Sequence, residues 1–130
     1  MFLDQELLPA LNRGLVVSLA LIIPASLIGF IFGVILGCTR CFAHKWLRKL
    51  GDAFTALVRG VPLAIQLLFI YYALPKLGIY FEPYGAALTS FIICTSAYQS
   101  EYVRGAILSI RKGQIMAAKA LGFTPIQTII

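Results

Sequence analysis

Three ionisable side chains sit where the sequence is otherwise oily: Arg59, Glu101 and Arg104. A charge at the centre of a bilayer costs roughly 2.5–3.5 kcal/mol on insertion scales, so each needs a partner, a wet cavity or a way out. Counted along helices at about 1.5 Å per residue, Arg59 lies about 9 Å and Glu101 about 10 Å inside the same membrane face. The matched depths predict an Arg59–Glu101 pair, or a Glu101–Arg104 pair at i+3. Arg59 can instead snorkel to the headgroups on its long stem, which Glu101 cannot do. Gln66 and Gln99, with Ser96, either line a polar path for a hydrophilic solute or hydrogen-bond between helices.

Covalent chemistry has little to stand on. Cys38-Thr39-Arg40-Cys41 is a C-x-x-C followed by His44, with Cys94 far along the chain. A metal or redox site of this kind needs a fourth ligand or a thioredoxin-like βαβ setting, and neither is visible. No nucleophile–base set accompanies His44. The expectation is no enzyme activity, no catalytic residue, no metal and no cofactor in this chain.

The elements that must hold these residues are membrane helices. Of 130 residues, 60% are hydrophobic and 12% charged, against roughly a quarter charged in soluble domains. The net charge of +6 falls between oily runs without a nucleic-acid-binding signature, so it reads as membrane topology and no nucleic acid is expected. The first span is placed at 14–38, uncharged throughout, with a kink at Pro24 and Gly29, Gly33 and Gly37 on one face as a packing seam. Thr39 to Asp52 reads as a short amphipathic helix at headgroup level, anchored by Trp46. The second span is placed at 53–74, loosened by Gly60 and Pro62, and the third at 84–108, the most polar of the three.

Lys and Arg set the orientation. Four follow span one, one follows span two, and four lie between Arg104 and Lys119. The N-terminus and second loop are therefore expected outside, and the first loop and tail in the cytoplasm. The expected fold is all-α: a polytopic membrane protein with three transmembrane helices in this chain and a cytoplasmic bent helix pair.

That bent pair is the closing stretch, "RKGQIMAAKALGFTPIQTII". Ala117, Ala118 and Ala120 favour a helix. Gly122 can close it in the left-handed conformation. Thr124 can cap a second helix with Pro125 at its first position. A rigid bent element outside the membrane suits docking to a soluble partner; an ordinary interfacial hairpin fits the same residues.

"GQIMAAKALGFTPIQTI" resembles the EAA motif of bacterial ABC importer permeases, in which Glu-Ala-Ala is followed by Gly four residues on; it maps onto Met116, Ala117, Ala118 and Gly122. "RGVPLAIQLLFIYYALPKLGI" and "SAYQSEYVRGAILSIRKGQ" look like the subgroup that imports polar amino acids. The resemblance implies a domain of roughly five helices, of which residues 1–130 are the N-terminal part and 111–130 the coupling segment. It implies a multi-pass permease subunit in the bacterial cytoplasmic (inner) membrane, paired with a second permease subunit and surrounded by membrane lipid. An extracytoplasmic amino-acid-binding protein would deliver the solute. Cytoplasmic ABC ATPase subunits, holding ATP and Mg, would dock on Ala117, Ala118, Gly122, Thr124 and Pro125. The chain departs from the pattern at Met116, where the family has Glu. The family's Ile-x-Leu-Pro and further spans are expected beyond Ile130, which makes the chain a permease fragment that is not transport-competent alone. The alternative from another class is a small structural or assembly membrane protein built on the glycine seam.

Overall fold

Nothing in the run after Gly14 interrupts a helix except Pro24, and the helix continues through it. The computed structural model describes residues 7–124 and 127, and its first helix, α1, covers Leu8–Phe42. Pro24 lacks the N–H that would bond the carbonyl of Ala20 four residues back. The Tyr84 hydroxyl donates to that carbonyl at 2.8 Å, so the freed acceptor is satisfied from a neighbouring helix. Thr39 to Phe42 complete α1, and Ala43 and His44 turn the chain in extended conformation. The amphipathic segment expected over 39–52 is thus divided between two helices.

Helix α2 covers Lys45–Gly60 and α3 covers Leu63–Leu68. A π turn at Phe69–Ala73 and a 3-10 turn at Leu74–Leu77 extend α3 to Gly78, which closes it at φ 86°. The second span expected over 53–74 is not one rod, because Lys45–Gly60 and Leu63–Leu77 meet at 102°. Pro62 is the cause: its ring disfavours helical geometry at the preceding residue, and Val61 is extended at φ −108°, ψ 126°. Gln66 stitches the break, its amide donating to the carbonyls of Val58 and Val61 at 2.8 Å each. Those carbonyls would otherwise be orphans at the end of α2.

Helix α4 covers Pro83–Ser109, with Pro83 in its first turn, where a missing N–H costs nothing. Helix α5 covers Lys112–Ala120. The core is the α1–α4 contact. A Cβ on Gly29 would meet Thr95, one on Gly33 would collide with the Cβ of Gln99, and one on Gly37 would meet Val103 at 2.8 Å. Both helices advance by four residues from contact to contact, so they run in the same direction. Ala25 on α1, and Ala86, Ser90, Ala97 and Ser100 on α4, are buried with the glycines. Large side chains such as Leu15, Ile22, Leu27 and Phe32 face outward. Small residues inside and large apolar ones outside is the packing pattern of helices in lipid.

Among the described residues, α1 is long and apolar enough to cross a membrane, and the bent α2–α3 pair passes only when taken as one span. Helix α4 has 27 residues, but its hydroxyls, Gln99, Glu101 and Arg104 hold down its apolarity. Three separate apolar rods are therefore not what the chain presents. The expected all-helical class holds throughout the described residues.

Candidate functional site

At the C-terminal ends of α1 and α4 the charges gather around a residue the sequence reading passed over. Arg40 is 4% exposed. Its Nε donates to Asp52 Oδ1 at 2.7 Å, its Nη2 to Glu101 Oε1 at 2.7 Å, and its Nη1 to the Ser100 hydroxyl at 3.1 Å. One guanidinium therefore ties α1 to both α2 and α4. Close charge-assisted bonds of this length are the strong ones. Room for the stem comes from Gly51, where a Cβ would sit 2.7 Å from Arg40 Cγ.

Ser100 donates its only proton to the Ala97 carbonyl at 2.8 Å, leaving its oxygen to accept. Thr55 Oγ1 lies 3.4 Å away and is then the donor of that pair. No buried side-chain nitrogen or oxygen among the described residues is left without a partner.

Arg59 and Arg104 occupy the rim. Arg59 Nη1 is 3.4 Å from Glu101 Oε1, and Arg104 Nε is 3.8 Å from Glu101 Oε2. The structure thus brings Arg59, Glu101 and Arg104 together, with both alternative pairs present at once. Arg59 also stacks over the Tyr98 ring at 5.3 Å, which holds its stem against the protein. The missed member, Arg40, had a signal: it lies three residues beyond Gly37, on the face the glycines turn toward α4.

The amides have separate uses. Gln66 has its NH2 committed to the backbone of the α2–α3 break. Gln99 rests its stem on Gly33. The hydroxyls of Thr89, Ser90 and Ser96 donate to carbonyls of their own helix, so much of the polarity of α4 is internally satisfied.

The tail follows α4 directly. Helix α5 starts with the Arg111 N–H donating to Gln114 Oε1 at 3.2 Å. It ends with Gly122 at φ 82°. There the Phe123 N–H reaches the Ala118 carbonyl at 3.1 Å and the Gly122 N–H reaches Lys119 at 3.0 Å, the pair of bonds that defines a Schellman stop. The chain then restarts. The Gln127 N–H donates to Thr124 Oγ1 at 3.4 Å, and the Thr124 N–H donates to Gln127 Oε1 at 3.0 Å, a reciprocal capping box. Pro125 lies outside the described residues. Met116, Leu121 and Phe123 are exposed around this turn. Ala117 is exposed and Ala118 half-buried.

Cys38, Cys41 and Cys94 carry free thiols, and no group of three potential metal ligands occurs among the described residues.

Comparison with known proteins gives one consistent answer. Residues 29–130 match the family described as binding-protein-dependent transport system inner membrane component. The arginine transport system permease protein ArtQ of Bacillus subtilis (strain 168) is 34% identical over 116 residues, covering 88% of this chain and 53% of its own. The glutamine transport system permease protein GlnP of Escherichia coli (strain K12) is 33% identical over 124 residues, covering 94% and 57%. The L-cystine transport system permease protein TcyB of Bacillus subtilis (strain 168) is 32% identical over 130 residues, covering 97% and 54%. A crystal structure of an amino acid ABC transporter with histidines superposes with a TM-score of 0.86 at 29% identity, covering 95% of this chain and 57% of that one. The chain spans a little over half the length of these relatives.

Proposed function

The chain belongs to the family of binding-protein-dependent transport system inner membrane components, and from that premise we propose that it works in the membrane subunit of an ABC importer for polar amino acids. Residues 1–130 form the N-terminal part of the transmembrane domain. The N-terminus and the loop after α3 face outward, and α5 with the turn at Gly122 faces the cytoplasm. The chain performs no bond chemistry; a partner subunit hydrolyses ATP.

The observation that supports this most is the tail. Helix α4, whose Ser100 and Glu101 are fastened to Arg40, is joined to α5 by two extended residues, Ile110 and Arg111, and α5 is stopped at Gly122 by two backbone bonds. A foot tethered by so short a link can pass a push from an ATPase into the α1–α4 pair. Nucleotide binding to the partner then shifts the permease between packings by differential affinity for them. Exposed Met116, Leu121 and Phe123 offer apolar docking contacts, with Met116 supplying soft packing where the family motif has Glu.

Co-expression with the cognate ATPase subunit tests the reading. The chain should retain the ATPase in membranes, and Gly122→Val should reduce that retention at least about tenfold, because a β-branched residue is strained at positive φ. Equal retention by the variant would remove the tail from the coupling role.

A further inference from the structure

We propose that the first half of α2 is a binding surface for anionic lipid headgroups, with Lys45, Arg48 and Lys49 holding phosphate and Trp46 and Leu50 set in the acyl boundary beside them. This goes beyond transport and requires only that the chain sits in a bilayer.

The helix has three faces. Gly51, Thr55 and Val58 are buried against the rest of the protein. Lys45, Arg48 and Lys49 fall at i, i+3 and i+4, so they share a second face, with Asp52 at its far end turned to Arg40. Trp46, Leu50 and Leu57 form a third, and are 72%, 69% and 69% exposed. A helix docked on protein along one stripe, with an apolar stripe and a basic stripe both uncovered, has the side-chain order of an interfacial helix. The 102° break from α3 turns α2 well away from the line of the segment that follows it.

Charge complementarity identifies the occupant. Among the described residues, the acid close by, Asp52, is engaged by Arg40, and Lys45, Arg48 and Lys49 have no carboxylate partner. Lys49 Nζ stands 5.7 Å from the Trp46 ring, which draws the basic and apolar stripes together at one level. An anionic headgroup satisfies both stripes at once, with its phosphate on the cations and its chains beside Trp46. A second protein copy would need acids and apolar groups in the same register.

Trp46 is the sole tryptophan, so its fluorescence reports this site alone. The whole chain is reconstituted into mixed phosphatidylcholine–phosphatidylglycerol vesicles in which either lipid carries brominated chains. The ratio of quenching by the two gives the relative affinity at Trp46. We expect about fivefold preference for phosphatidylglycerol, the size of one added basic contact at an anionic surface. The preference should shrink between roughly 0.01 and 0.15 M salt, as the screening length falls from about 30 to 8 Å. Lys45→Gln with Arg48→Gln and Lys49→Gln should bring the ratio close to one, while Arg48→Lys keeps it. Three results overturn the proposal: no preference in the unaltered chain, a preference the triple variant keeps, or a Trp46 that neither brominated lipid quenches because a second copy covers it. A partly unfolded triple variant is recognised by its circular dichroism and replaced by the single Arg48→Gln, which should lower the ratio; an unchanged ratio there overturns the proposal.

Discussion

Among single residues, Arg40 carries more than the arginines that stand within the expected spans. It is buried and makes three side-chain hydrogen bonds, whereas Arg59 is 43% exposed and approaches Glu101 only to 3.4 Å. Removing one partner of a buried, hydrogen-bonded pair costs about 3–5 kcal/mol, since the other is left uncompensated. For Arg40→Ala the expectation is the lower end, about 3 kcal/mol, because Arg59 and Arg104 remain beside Glu101. A pair as exposed as Arg59–Glu101 contributes about 1 kcal/mol or less. Denaturant titration of the two variants in the same detergent should therefore rank Arg40→Ala well below Arg59→Ala, and equal losses would refute the central role of Arg40. The sequence made the acid legible, because a carboxylate within an oily run demands a partner. It did not single out the partner. Arg40 lies beyond the uncharged run, among four cations that read together as a topogenic cluster, and only its register with the glycine face, three residues past Gly37, separates it from Lys45, Arg48 and Lys49.

For the helices, the glycine seam was legible in full and the second span was not. Periodicity at i, i+4, i+8 is a local property of one helix, and it translates directly into the contacts with Thr95, Gln99 and Val103. The path after Gly60 depends on a competition that periodicity does not reveal. Pro62 opposes a continuous helix, and Gln66 supplies donors that let the break persist in an apolar setting. With those donors spent on backbone carbonyls, Gln66 has a structural use that its position among oily residues concealed. The seam gives a paired prediction. Gly33→Ala puts a methyl into Gln99 and within 3.1 Å of the Ser96 carbonyl, and overpacking of this kind costs roughly 1–3 kcal/mol. Gly14→Ala adds a methyl with nothing within 4 Å and should stabilise by up to about 1 kcal/mol through helix propensity. Unfolding midpoints that move the same way for both would mean that α1 and α4 do not touch along the glycines.

For the whole molecule, the parallel course of α1 and α4 decides what the chain between them must do. Tyr84, at the start of α4, reaches Ala20, while Arg40, at the end of α1, reaches Glu101. Between Phe42 and Pro83 the chain therefore climbs back from the Arg40 level to the Ala20 level, about 30 Å at 1.5 Å per residue of α1. The segment Leu63–Leu77 supplies about 22 Å as helix, and the five residues 78–82 can add up to about 16 Å when extended. The distance closes without any help from α2, which is free to lie across the end of the bundle. On the proposed multi-pass topology, the bent segment recrosses because the pairing of its neighbours leaves it no other route. The loop at Tyr80 and the tail at Gly113 are then on opposite faces. With Cys38, Cys41 and Cys94 replaced by Ala, Tyr80→Cys should react with a membrane-impermeant maleimide added to intact cells, and Gly113→Cys only after permeabilisation. Both sites are exposed, so access is set by the membrane. Labelling of both from one side would mean that α1 and α4 do not cross the bilayer side by side, and the proposed force path from the Gly122 foot to the Arg40 hub would lose its geometry.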